Sequence, residues 1–136
     1  MAGYAGDVTP QQAWELVRDG AVLVDVRTVG EWQQIGVPDT SELGKDTHFI
    51  EWVHAGGIPN ERFLEQLEAL DVAKDTPLLF ICRSGQRSIG AAMTATQAGY
   101  ANSYNVLQGF EGAADKVGSR HVEGWKVAGL PWKFPE

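Results

Sequence analysis

A chain of 136 residues with 43% hydrophobic and 21% charged side chains has the composition of one globular domain, and a domain this size hides roughly 65–70% of its unfolded surface with no need of disulfides or a structural metal. Eleven Lys and Arg against eighteen Asp and Glu give a formal net charge of −7, which opposes binding to nucleic acid or to an anionic membrane. One cysteine makes no internal disulfide, the opening MAGYAGDVTPQQ carries no secretion signal, and no apolar run nears the ~20 residues of a membrane span, so a soluble protein of a reducing cytoplasm is expected.

The first helix is expected from Thr9, whose hydroxyl caps free amides, through Pro10 at the first helical position, with Ala13, Leu16 and Val17 on one face and Gly20 as its end. The run from Ala21 to Val26 is continuously apolar except for Asp25, the pattern of a strand covered on both sides. Thr28 opens a second helix with Trp32 on its inner face, and Gly36-Val37-Pro38-Asp39 breaks it. Between Thr40 and Pro59 only Thr47–Trp52 reads as a short strand, between long loops. Asn60 is read as the cap of a helix over Glu61–Leu70, where Phe63, Leu64, Leu67 and Leu70 recur at helical spacing. Pro77–Cys82 is a second apolar strand, Ser88–Ala98 a helix of small residues ending at Gly99, and Ser103–Leu107 a further strand. The tail from Gly124 predicts a short helix capped by Gly129 and stopped by Pro131.

Strands alternating with helices at this spacing predict an α/β fold, a mostly parallel central sheet with helices on both faces, in one domain over 1–136. Reactive groups gather at the carboxyl ends of such strands, and Cys82 closes one there.

Cys82-Arg83-Ser84-Gly85-Gln86-Arg87-Ser88 lies between that strand and the following helix. A tight loop at this place turns backbone amides inward, and the helix start adds partial positive charge, so the loop forms an anion nest with Gly85 making the turn feasible. Sulfur at its centre is favoured as the thiolate, the attacking form, with Arg83 and Arg87 adding to the effect. A lone cysteine at a strand end is most often a small buried hydrophobe, but two arginines, two serines and a glycine within six residues do not make a core. Asp25 is read as an anchor for backbone or a basic neighbour, and Arg27 with Glu31, four apart, as a helix-surface ion pair. His48, His54 and His121 have no metal-ligand spacing. Most of the five tryptophans are read as packing, with Trp52 alone read as a wall of a donor pocket.

With these residues in view, the chain resembles a single-domain rhodanese of the thiosulfate sulfurtransferase-like family. The resemblance rests on the Cys82–Ser88 loop, on Leu23-Val24-Asp25-Val26-Arg27 with Glu31-Trp32, on Asn105–Phe110, and on the Gly-Trp-Lys-Val-Ala-Gly-Leu-Pro stretch from Gly124. It departs where family members carry a Gly-His-Ile-Pro-Gly-Ala-like turn: here stand Ile35-Gly36-Val37-Pro38-Asp39 and a long stretch to Pro59. The resemblance implies that Cys82 takes sulfane sulfur from an anionic donor such as thiosulfate and passes it, as a persulfide, to cyanide or a thiol, with no metal or organic cofactor. Arg83, Ser84, Gly85, Gln86, Arg87 and Ser88 would then bind the donor. A cysteine-dependent phosphatase of related fold is the alternative enzyme, but it places arginine six positions after cysteine, where this chain has Ser88. A binding module that senses sulfur or oxidant without turnover is the non-enzymatic alternative.

Overall fold

The computed structural model describes residues 3–112 and 123–135. A short strand, β1 (Gly6–Val8), precedes helix α1 (Pro10–Arg18), where Thr9 and Gln12 cap each other's backbone amides reciprocally. Strand β2 (Val22–Asp25) leads to α2 (Val29–Ile35), opened by an equivalent capping box between Thr28 and Glu31. Both helix starts are therefore where the capping residues place them.

Where the sequence predicts one short strand between long loops, the chain forms strand β3 (Val37–Pro38), a 3-10 turn at Ser41–Leu43, strand β4 (His48–Phe49) and a hairpin of β5 (Val53–His54) and β6 (Ile58–Pro59). Helix α3 (Phe63–Glu68) is shorter than the apolar spacing predicts. Asn60 spends its side-chain oxygen on the Arg62 amide, forming a turn that precedes the helix instead of capping its first residue. Strand β7 (Leu78–Ile81), helix α4 (Arg87–Gln97) and strand β8 (Ser103–Val106) follow within about a residue of expectation. The tail differs. Residues 124–129 form successive turns rather than a helix, and Trp132–Lys133 is a strand, β9, antiparallel to β3. Trp125 is fully buried with its indole nitrogen donating to Pro131 O, so the tail turns back on itself to seat that ring.

The central sheet has five strands in the order β1-β8-β7-β2-β4, and every pairing is parallel. Side chains alternate between its faces. Val24, Val26, Leu78, Phe80 and Cys82 meet α3 and α4 on one face, while Leu23, Leu79 and Ile81 meet α1, Phe110 and Trp125 on the other. Coverage on both faces is why β2 and β7 are apolar at nearly every position. Ala91, Ala92 and Ala95 are fully buried, so α4 packs through small side chains. The chain leaves β2 toward β4 on one side and β7 toward β8 on the other. The strand order thus reverses between β2 and β7, and the carboxyl ends of the strands at such a reversal are the usual place for a ligand in an open α/β sheet. No helix among the described residues is long and apolar enough to cross a membrane.

Candidate active site

Cys82 is the first residue beyond β7, at the carboxyl end where the strand order reverses, and is 1% exposed. Three donors or donor-acceptors surround its Sγ: the Gly85 amide donates at 3.2 Å, the Ser88 amide at 3.4 Å, and Ser88 Oγ lies at 3.2 Å. The sulfur is thus buried, yet two amides of its own loop point at it, one from the turn and one from the first turn of α4. An anion at this position meets two N–H groups and the positive end of an eleven-residue helix. The remaining loop residues face outward to different degrees: Arg83 and Gln86 are exposed, and Ser84 and Arg87 are half-buried.

The loop is held by a second backbone segment. Phe110 N donates to Cys82 O at 2.8 Å, and the Glu111 and Gly112 amides both donate to Arg83 O, at 3.0 and 3.1 Å. Gly85 (φ +95°) and Gly109 (φ +60°) make this approach possible: a Cβ on Gly109 would lie 2.4 Å from Cys82 O and 2.6 Å from Arg83 C. Gly109→Ala is expected to destabilise the fold by about 2–5 kcal/mol, combining left-handed backbone strain with forced separation of the two segments. A urea midpoint gives the measurement, and a loss under about 1 kcal/mol would mean that the segments part freely.

Both loop arginines have carboxylate partners that residue order did not reveal. Arg87 makes two parallel hydrogen bonds to Glu31, at 2.7 and 2.9 Å, tying the start of α4 to α2. Burial is the largest influence on Glu31 and pushes its pKa up, but the Arg87 hydrogen bonds and charge, helped by the Thr28 amide and Arg27, outweigh it and hold the carboxyl below its ordinary value. Arg87 is raised in turn, chiefly by its hydrogen bonds to Glu31. Arg83 Nε lies 3.0 Å from Glu111 Oε2, a charge contact without hydrogen-bond alignment, and its side chain is 47% exposed. The positive charge of this loop is therefore shared with two acids.

The expected Arg27–Glu31 pair is not formed. Arg27 turns back instead onto Asp25, with Nη2 at 2.6 Å from Oδ2 and Nε at 3.0 Å from Oδ1, and both side chains are fully buried. Nη2 also donates to Gly36 O, and the guanidinium lies 4.3 Å from the Phe110 ring centroid. Asp25 is the anchor expected, on the sheet face opposite Cys82. Trp52 packs edge-on against Phe63, ring centres 5.0 Å apart, and its indole lies against Gly90 of α4, so it braces the helix that carries the loop. Among the described residues no three His, Cys, Asp or Glu side chains gather closely enough to hold a metal ion. His48 and His54 sit on β4 and β5, and His121 lies outside the described residues.

Residue-level reading missed Asn105 and Asp7. Asn105 is fully buried in β8 and takes the Ser88 hydroxyl through its Oδ1, and Asp7 of β1 accepts from Asn105 Nδ2 at 3.0 Å. The available signal was a carboxamide inside the strand Ser-Tyr-Asn-Val, since a buried amide needs partners.

A parallel sheet covered on both faces, with a cysteine loop at the reversal of strand order, defines an α/β protein with a candidate thiol site at the carboxyl end of its sheet. The family model of the rhodanese-like domain matches residues 9–116, and the chain belongs to that family. The crystal structure of Rv0390 from M. tuberculosis is 50% identical, with a TM-score of 0.89 over 97% of this chain and 99% of that one. The uncharacterized protein RC0915 of Rickettsia conorii is 40% identical over 119 residues, 85% of each chain. Thiosulfate sulfurtransferase GlpE of Haemophilus influenzae is 30% identical, covering 78% of this chain and 85% of the relative.

Proposed function

We propose that the protein is a sulfurtransferase that moves sulfane sulfur from an anionic donor such as thiosulfate to cyanide or a thiol through a persulfide on Cys82. The convergence of the Gly85 and Ser88 amides on Sγ is the observation that carries this reading. The Cys82 thiolate attacks the outer sulfur of thiosulfate, a new S–S bond forms, and the donor's own S–S bond breaks with both electrons leaving on sulfite. Cyanide or a thiolate then attacks the outer sulfur of the persulfide, and the electron pair returns to Cys82. Negative charge resides on the attacking Cys82 sulfur and on the persulfide it forms, and the preorganised Gly85 and Ser88 amides point at it in both. Arg83, half in solvent, meets the donor, and Ser84 and Gln86 line its approach. Arg87, tied to Glu31, fixes the width of the loop. With the chain's single cysteine no internal disulfide discharges the persulfide, so the acceptor comes from outside.

The test is direct. Thiosulfate is expected to add the mass of one sulfur to Cys82, and cyanide to remove it as thiocyanate over repeated cycles. Sulfur that adds once and is not discharged would favour a sensing module, and hydrolysis of an aryl phosphate with no sulfur transfer would favour the phosphatase.

A further inference from the structure

A chain of hydrogen bonds runs from the candidate nucleophile across three structural elements to the surface: Cys82 Sγ, Ser88 Oγ, Asn105, Asp7 and Tyr4. The sheet builds it. Asp7 and Asn105 are direct partners in the parallel register of β1 and β8, and α4 brings Ser88 over β8 from the same side. Ser88 and Asn105 are fully buried, so each of their donors and acceptors needs a partner inside the protein.

The donor inventory gives this chain a direction. The Asp7 carboxylate only accepts, and its Oδ1 receives both the Tyr4 hydroxyl at 2.9 Å and an Asn105 N–H at 3.0 Å. The Asn105 amide nitrogen therefore faces Asp7 and its oxygen faces Ser88. That oxygen also only accepts, so the single hydroxyl proton of Ser88 is committed to it. Ser88 Oγ then presents a lone pair to Cys82, and at 3.2 Å the sulfur is left as the donor.

We infer that Asp7 is a positioning residue for Cys82: by orienting the Asn105 amide it turns the Ser88 hydroxyl proton away from the sulfur, so that Ser88 offers Cys82 a lone pair and not a donor. This rests on the reading of Cys82 as the nucleophile. When the thiol gives up its proton to base in solution and reacts as the thiolate, Ser88 rotates its own proton from Asn105 to the sulfur, which leaves the Asn105 carbonyl without its donor. Without the Asp7 acceptor the Asn105 amide is free to reverse, donate to Ser88, and let Ser88 donate to the sulfur.

The experiment follows the rate of Cys82 alkylation by iodoacetamide against pH, unambiguous because the chain has one cysteine. Asp7→Ala is expected to move the midpoint down by about one pH unit, which is about tenfold faster alkylation well below it. Asp7→Asn removes the charge but keeps a carbonyl that accepts from Asn105, and is expected to stay near wild type. Asp7→Val, a better strand former at this exposed edge, repeats the Ala result if Ala frays β1. An unmoved midpoint in both apolar variants overturns the inference, and so does an Asn variant that shifts as far as Ala, because charge alone would then be the cause. The other charged groups near the sulfur are common to all variants: Arg83 and Arg87 in its loop, Glu31 on α2, Glu111 beyond β8, and the Asp25–Arg27 pair on the far face of β2. Alkylation needs no sulfur donor, so failure here leaves the proposed transfer standing, and failure with thiosulfate leaves this network standing.

Discussion

Cys82→Ser is expected to lower thiocyanate formation from thiosulfate and cyanide at least about a thousandfold while changing stability by about 1 kcal/mol or less. The two halves of this expectation have separate causes. A serine hydroxyl stays protonated at neutral pH and forms no persulfide, so the covalent route is lost. The same hydroxyl still accepts from the Gly85 and Ser88 amides and still has Ser88 Oγ beside it, so no buried polar group is stranded. Thiocyanate production and urea unfolding, measured on the same preparation, separate catalysis from folding. Undiminished thiocyanate from the serine variant would reject Cys82 as the nucleophile.

Arg27→Ala carries the largest expected cost to the fold, about 3–5 kcal/mol, because it leaves the fully buried Asp25 carboxylate without its cation. That is a large share of the ~5–15 kcal/mol that holds a domain together, and the thermal midpoint should fall by roughly 10 °C or more. The loss spreads beyond the pair. Arg27 also holds Gly36 O at the end of α2 and lies on Phe110, whose amide donates to Cys82 O. Removing both charges with residues of similar volume, Asp25→Leu with Arg27→Met, is expected to recover most of the lost stability, since no charge is then buried alone. A single variant that loses less than about 1 kcal/mol would mean that solvent reaches Asp25 when the arginine goes.

Local signals carried much of the architecture. Thr9 with Pro10, and Thr28 with Glu31, place helix starts because the cap bonds lie within four residues of each other. The apolar runs ending at Val26 and Cys82 are the central strands because both faces are covered. β1 escaped notice because Gly-Asp-Val has no apolar alternation and is held by pairing with β8. β9 escaped because only its pairing with β3 defines it. Asn60 misled because a side chain that caps a helix and one that closes a turn look alike in residue order.

Residue order sufficed for the cysteine loop and its place at a strand end, since both are written in consecutive residues, and for the family resemblance, since that rests on several short segments taken in their order. Only the folded chain decided which acid each arginine meets and which way the hydrogen bonds behind Cys82 run. Glu31 finds Arg87 across 56 positions, and Asp7 finds Asn105 across 98. Such contacts depend on strand order and register, and these are properties of the assembled sheet rather than of any one segment.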